Sequence, residues 1–566
     1  MGATNPVGKR LRTADMTFHL ATGTLDTGGT PSQDLHVDRR SRGRLGAIAG
    51  VAAAAAGLGV AELVAASRRD FQSPVLDVGD RVVDSVPRPM KELAIEWFGT
   101  NDKKALLIGI ASILLGYAVV VGVLSLRRRF WPAIVGISVF GLVGAYASQT
   151  TRRAAPISAT VPSLVGAIAA AGVLWGLRRT LQHPTASVDS PAGQDTAGSI
   201  VTEPRSTVTD AGQVGRRRFL SLSAAAAIGA IAIGTTGRRL RDRFSVGSSR
   251  QQLVLPPASR PLGLVPATIA PDVQGVSTFF TSNADFYRID TALSVPQVPL
   301  DSWRLKLHGL VDRPVELTFD DLLQRPLVEA DITLTCVSNE VGGKLIGTAR
   351  WMGVRLDDLL AEAGIGPDAD QIIGRSVDGY TCGFPVSALD GRDALVAIAM
   401  NGEPLPLEHG FPARLIVPGL YGYVSATKWL SEVELARFDQ FDQYWVERGW
   451  DNMAPIKIQS RIDTPRGLSS VDPGTLAIGG VAWAQTRGIE RVELQIDDGD
   501  WVEATLAGEL NDVTWRQWSY AWEATSGRHS IRVRATEKNG PIQTDQRSEP
   551  FPSGATGQHQ IVVLVR

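Results

Sequence analysis

Four long apolar runs, almost free of charge, constrain this chain more than any other feature. They are Leu45–Ala66, Ala105–Leu126, Trp131–Ala147 and Val161–Leu177, and only Glu62 interrupts them. Each is about 17–22 residues, the length that crosses the hydrocarbon core of a bilayer as a helix. Buried helices of soluble proteins rarely run so far without charge, so the pattern predicts transmembrane helices. A fifth run, Phe219–Gly234, is shorter and rich in Ala.

Arginine placement sets the expected orientation. Arg39, Arg40, Arg42 and Arg44 precede the first run, and Arg127, Arg128 and Arg129 join the second to the third. Arg178 and Arg179 follow the fourth, and Arg216, Arg217 and Arg218 precede the fifth. With these clusters in the cytoplasm, the N-terminus is inside, the chain crosses five times and the C-terminus is outside. Arg68, Arg69, Arg152 and Arg153 then fall outside, the first pair in a long loop that is also acidic. The run Arg216-Arg217-Arg218-Phe219-Leu220 resembles a twin-arginine export signal, with plain positive-inside arginines as the alternative. Such a signal implies that the C-terminal part folds around a cofactor before it crosses.

These features divide the chain. Residues 1–44 are expected to form a cytoplasmic tail and 45–180 four transmembrane helices. Residues 181–215, rich in Ser, Thr, Asp, Gly and Pro, read as a cytoplasmic linker. Residues 216–236 carry the signal-like fifth helix, and 237–270 form an extracytoplasmic linker. None of the seven histidines falls in an apolar run, which argues against a transmembrane haem. With Glu62 as the only intramembrane charge, a transporter is disfavoured. The helices read instead as an anchor or a docking surface for another membrane protein.

From Pro271 the texture changes to short strands, turns and aromatics. A chain of 566 residues is too long for one core. Its net charge of −1 favours no polyanion-binding class. Two cysteines, Cys336 and Cys382, cannot build a disulfide framework. Cys336 stands where a β-branched run, Ile332 to Thr335, breaks into a polar, Gly-rich turn. A thiolate there suits a transition metal, against the alternative of a buried structural thiol. Cys382, at a strand edge, reads as core filler. Trp303–Val311 alternates as a half-buried strand, and Thr318 caps a short helix through Leu323. This part is α+β.

Four ordered motifs are similar to those of the molybdopterin-dependent sulfite oxidase superfamily. Asn283-Ala284-Asp285-Phe286-Tyr287-Arg288 resembles its Asn-x-x-Phe-Tyr motif. Thr333-Leu334-Thr335-Cys336 resembles the Thr-Leu-x-Cys motif whose cysteine binds molybdenum. Asn401-Gly402-Glu403-Pro404-Leu405-Pro406 precedes His409-Gly410-Phe411-Pro412-Ala413-Arg414, and Tyr421 to Leu430 completes the set. The resemblance implies a molybdenum–molybdopterin cofactor in a catalytic domain over 271–450, ligated by Cys336. It implies oxygen-atom transfer to or from a small sulfur- or nitrogen-containing substrate. By the same resemblance His409, Arg414, Ser425 and Lys428 contact the pterin, with Asn283, Tyr287 and Arg288 opposite and Thr427 contributing mainly backbone. A phosphate is ordinarily held by backbone N–H groups with Arg or Lys.

Two positions depart from the sulfite oxidase pattern. Val341 stands where a basic residue follows the metal cysteine by five, and Ile398 stands where a Tyr precedes the Asn-Gly pair by three. A dianion such as sulfite calls for fixed positive charge. These departures lean toward a neutral substrate such as a sulfoxide or N-oxide, with Arg288, Arg350 and Lys344 able to supply charge for sulfite.

Residues 451–566 alternate as short strands, with hairpin signals at Asp498-Gly499 and Asn539-Gly540. They predict an all-β immunoglobulin-like sandwich similar to the dimerisation domain of sulfite oxidases, so a homodimer is a possibility the resemblance raises. Without a haem or flavin module in this half, electrons are expected to pass through a separate cytochrome or quinone-linked membrane protein. Two other readings remain: a non-enzymatic cell-surface module with a degenerate pterin domain, and a transporter or sensor.

Overall fold

The computed structural model describes residues 39–566 except 88–89, 91–92, 94–96, 99–101, 128, 151–154, 183–207 and 539. Most of the expected cytoplasmic tail and of the 181–215 linker, together with Arg128, Arg152, Arg153 and Asn539, lies outside the described residues. Each apolar run forms a helix: Arg39–Ala65, Asp102–Ser125, Trp131–Thr150, Val161–Gln182 and Val208–Arg241. All five contain stretches long and apolar enough to cross a membrane. The last begins well before its apolar run, so Arg216, Arg217 and Arg218 sit inside the helix rather than ahead of it.

Small residues let these helices touch backbone to backbone. A Cβ on Gly50 would lie 2.8 Å from the Cα of Gly122, and one on Gly57 would lie 2.7 Å from the Gly166 carbonyl oxygen. Apolar helices in lipid gain little from burying apolar area, so close backbone packing holds them together. Large apolar side chains such as Ile113, Leu142 and Ile168 point outward and stay exposed. Glu62 lies near the end of its helix and accepts a hydrogen bond from Ser73 Oγ. A further helix, Pro74–Ser85, escapes the apolar-run criterion because its polar and apolar residues are mixed; Pro in its first turn suits a helix start.

The second half begins with two sheets, the first mixed through one parallel pair and the second antiparallel throughout. In the first, strands run in the order β2 (Val315–Thr318), β1 (Arg304–Gly309), β10 (Leu430–Ala436), β5 (Gln371–Ser376), β6 (Thr381–Pro385). In the second the order is β3 (Leu327–Thr335), β4 (Ile346–Arg355), β7 (Leu395–Met400), β8 (Glu403–Pro404), with β9 (Arg414–Ile416) also on β7. The predicted cap at Thr318 is a full capping box, Thr318 and Asp321 each bonding the other's backbone N–H. One core joins both sheets through Leu305, Leu360, Ile372, Val396, Leu415 and Val433.

The C-terminal region is β-rich. One sheet orders β11 (Gln459–Thr464), β13 (Gly474–Trp483), β17 (Arg516–Ala524) and β16 (Thr505–Leu506). The other orders β12 (Ser470–Val471), β19 (His559–Val565), β18 (Gly527–Glu537), β14 (Ile489–Ile496) and β15 (Trp501–Glu503). Both contribute to a shared core that includes Ile478, Trp518, Val492 and Val533. The Asp498-Gly499 signal falls in the turn between β14 and β15.

Candidate active site

Cys336 is the first residue past β3. Its N–H donates to the Leu345 carbonyl at 2.9 Å, and Leu345 N–H donates to Asn339 Oδ1 at 2.8 Å, closing the turn to β4. The C-terminal region clamps this turn. Arg461 Nη1 donates to the Gly343 carbonyl at 2.9 Å, and Trp515 N–H donates to Thr333 Oγ1 at 2.8 Å. Thr333 N–H in turn donates to the Val513 carbonyl at 3.1 Å. The thiol is buried and lines a cavity of about 130 Å³. Burial raises its pKa, and hydrogen bonds from Ser338 oppose the rise.

One wall of the cavity is cationic. The turn Leu407–His409 leads into Gly410, whose φ of +112° suits glycine. A Cβ there would lie 3.0 Å from Lys428 Cα, so glycine lets the two segments meet. Arg414 follows at the start of β9, 4% exposed, above the Trp351 ring at 5.0 Å. Its Nη1 donates to the His409 carbonyl at 3.1 Å, and its Nε has no partner. Burial pushes this guanidinium down to about 10, and among the described residues no carboxylate pairs with it. Lys428 donates to Asp290 Oδ2 and to the Glu408 carbonyl, both at 3.0 Å. Burial pushes Lys428 down to about 8, against the pull of Asp290. Burial alone would raise the Asp290 carboxyl, but Lys428, Lys103 and Arg288 hold it well below the usual range.

His409 faces Asn283, with Nε2 3.1 Å from that residue's carbonyl oxygen. Burial, reinforced by Arg414, pushes its imidazole down to about 4, so it is neutral at pH 7. The carbonyl contact makes Nε2 the protonated nitrogen. Tyr287 lines the same wall. Burial raises its phenol, Cys336 adds to the rise and Arg414 opposes it. The other wall is aromatic: Tyr380, Tyr423, Trp445 and Trp450 line it, with Leu334 and Val337 nearby.

Of the residues expected from sequence, the cavity gathers Cys336, Tyr287, His409, Arg414 and Lys428. Asn283 turns its amide to Met400 and Glu403 and supplies only its carbonyl to His409. Arg288 is an exposed partner of Asp290 at 2.8 Å. Ser425 Oγ donates to the Leu420 and Tyr421 carbonyls at 3.1 Å, and Thr427 Oγ1 contacts Cys382 Sγ at 2.8 Å. None of these four lines the cavity. Nor do Val341 and Ile398; Ile398 is fully buried in β7. Both cysteines are free thiols. Sequence reading passed over Asp290, although it lies two residues beyond Arg288, and of the aromatic wall only Tyr423 fell within a motif it singled out.

These residues fit a molybdenum–pterin group. A thiol, a buried guanidinium lacking a counter-charge and a buried ammonium open on one cavity, as a metal joined to an anionic organic group requires. Residues 292–445 match the oxidoreductase molybdopterin binding domain. The chain belongs to the sulfite oxidase superfamily of molybdopterin oxidoreductases. It is 31% identical over 284 residues to sulfite oxidase of Arabidopsis thaliana, covering 41% of this chain and 72% of that protein. It is 34% identical over 151 residues to the uncharacterized oxidoreductase YuiH of Bacillus subtilis, covering 27% and 73%. Mitochondrial sulfite oxidase of Rattus norvegicus is 30% identical over 322 residues, covering 47% of this chain; the chain spans 58% of the length of that relative. Membership in the superfamily implies the molybdenum–molybdopterin cofactor.

Proposed function

We propose that this chain is a membrane-anchored oxidoreductase that transfers an oxygen atom to or from a small sulfur- or nitrogen-containing substrate. The observation that carries this reading is the opening of Cys336 onto the same cavity as the unpaired, buried Arg414. Cys336 is the metal ligand. Arg414 and Lys428 hold the pterin phosphate, and His409, fixed by the Asn283 carbonyl, is a neutral neighbour. Tyr287 lines the same cavity. The cofactor, when bound, supplies two-electron oxygen-atom exchange. The chain's own residues position it, exclude bulk water and fix the charge around its phosphate. Among the described residues no further cluster of His, Cys, Asp and Glu could hold a second metal centre, so a separate electron carrier completes the cycle.

Five apolar helices support the anchor, and the arginine clusters support an extracytoplasmic site. The C-terminal region, two sheets around one core, supports an immunoglobulin-like module of the kind that dimerises relatives. Metal analysis of the purified full chain tests the core of this reading. Wild type is expected to carry stoichiometric molybdenum, and Cys336→Ser to lose turnover with the fold intact by thermal unfolding. Wild type without stoichiometric molybdenum sinks the assignment.

A further inference from the structure

Two helices of the apolar half end together, and their ends carry more arginine than the fold uses. Arg39–Ala65 and Val208–Arg241 touch where Gly59 meets the Ala230 backbone and where Gly237 meets the backbone of Glu62 and Leu63. The contacts advance the same way along both segments, so the two helices run parallel. Arg68 and Arg69 follow the first helix. Arg238, Arg239 and Arg241 stand in the last turn of the second, and Arg243 lies just past it. This is the end of the bundle where the positive-inside pattern expects few arginines.

Two of these arginines tie the ends together. Arg243 Nη2 donates to the Ala66 carbonyl at 2.8 Å and to the Ser67 carbonyl at 3.2 Å, and Arg241 Nη2 donates to the Phe71 carbonyl. Carbonyls at a helix end attract cations, so these two have a structural task. The other four do not. Among the described residues Arg68, Arg69, Arg238 and Arg239 make no hydrogen bond or ion pair, and all four are exposed. Arg68 lies 5.7 Å from the Phe71 ring and Arg69 5.3 Å from the Phe244 ring. Phe244 also carries Arg243 at 4.7 Å, so one ring serves two guanidiniums. Asp70 and Asp242, both exposed, form no ion pair with these cations among the described residues, and Glu62 accepts from Ser73. Like charges gathered without acids repel, and an anion among them removes the repulsion. Guanidinium forks match phosphate oxygens in pairs.

The surroundings of the cluster separate a lipid from a free anion. On the same two helices Leu63, Ile228 and Ile231 are exposed. A soluble phosphate would use the arginines alone. A phospholipid uses both features, its headgroup meeting the guanidiniums and its acyl chains lying along the apolar side chains. We infer that the joined ends of these two helices form a headgroup site for an anionic phospholipid, with Arg68, Arg69, Arg238 and Arg239 around its phosphate. This rests on the membrane anchoring proposed above and adds the kind of lipid that the anchor selects.

The test uses the full chain. Membranes containing it are first extracted with alkaline carbonate, and the chain is expected to stay with the membrane. The protein purified in mild detergent is then mixed with equimolar phosphatidylglycerol and phosphatidylcholine of the same acyl chains. Native mass spectrometry counts the lipid retained. Wild type is expected to hold phosphatidylglycerol about tenfold over phosphatidylcholine. The double variants Arg68→Gln with Arg69→Gln, and Arg238→Gln with Arg239→Gln, are each expected to lose most of that preference. The matching Lys variants keep the charge, guard against a folding defect and are expected to stay close to wild type. A wild-type ratio near one, or Gln variants that keep the preference, overturns the headgroup site and leaves the anchor standing. Lys variants that lose as much as the Gln variants overturn it as well, because charge is then not what binds. A chain released by carbonate overturns the anchor and this inference together.

Discussion

A guanidinium enclosed by protein without a carboxylate beside it destabilises the fold that holds it. Arg414 has only a backbone carbonyl and the Trp351 ring for company, and its lowered pKa records the strain of burial. A chain keeps such a residue when something anionic arrives to share the site. Two opposite effects of Arg414→Met follow from this. The cofactor-free protein becomes more stable, by on the order of 1–3 kcal/mol, because an unpaired buried charge gives way to a side chain of similar volume. The same variant, expressed where the cofactor is available, retains little pterin. Differential scanning fluorimetry of the molybdenum-free form and pterin analysis of the loaded form read the two effects separately. A lower melting temperature in the first measurement would mean that Arg414 is structural. Lys428 differs in kind, since Asp290 already neutralises it.

At the scale of elements, the strand that carries Cys336 is held from outside its own sheet. β3 pairs with β4 on one side, while Thr333 also meets Val513 and Trp515 of the C-terminal region. Thr333→Val removes the acceptor of the Trp515 N–H inside the protein. An orphaned buried donor costs about 1–3 kcal/mol, so thermal unfolding is expected to shift down by about 2–4 °C, with Thr333→Ser close to wild type. An unchanged midpoint for Thr333→Val would show that the brace is not needed. This contact also explains what sequence reading reached and what it missed. The β-branched run before Cys336 and the turn after it are local signals, so the thiol at a strand end was legible. Thr318 was legible as a cap for the same reason. Trp515 lies far along the chain from Thr333, and no local pattern pairs them. The aromatic wall is similar: Tyr380, Tyr423, Trp445 and Trp450 come from separate segments, and only the fold makes them one surface. Ser425 carried the right residue type, but backbone carbonyls already occupy its hydroxyl; Thr427, expected to act mainly through its backbone, turns its hydroxyl to Cys382.

Across the whole molecule, the contacts that join the helical half to the site-bearing half include Leu293 packed at Gly79 and several polar pairs. Lys103, at the start of the helix Asp102–Ser125, donates to Asp290 and to the Ala292 carbonyl at 2.8 and 2.7 Å. Tyr444, a ring neighbour of Tyr380, donates to Asp84 at 3.0 Å. The Lys103 side chain is 35% exposed and that of Asp290 only 5%, so solvent screens one end of this pair. Each half otherwise keeps its own core: Ala49, Ala133 and Leu174 in the helices, and the sheet residues elsewhere. Damage to one core is therefore expected to stay there. Gly50→Leu forces a bulky side chain against the Gly122 backbone, which cannot retreat without separating two helices. The full chain should then be less stable in detergent, by about 1–3 kcal/mol within the helices. The molybdenum content of the protein recovered should match wild type, because the cavity residues from Phe286 to Trp450 are untouched. A proportional fall in molybdenum content would reverse this view, making the helices part of the site's architecture through Lys103 and Asp290 rather than its anchor.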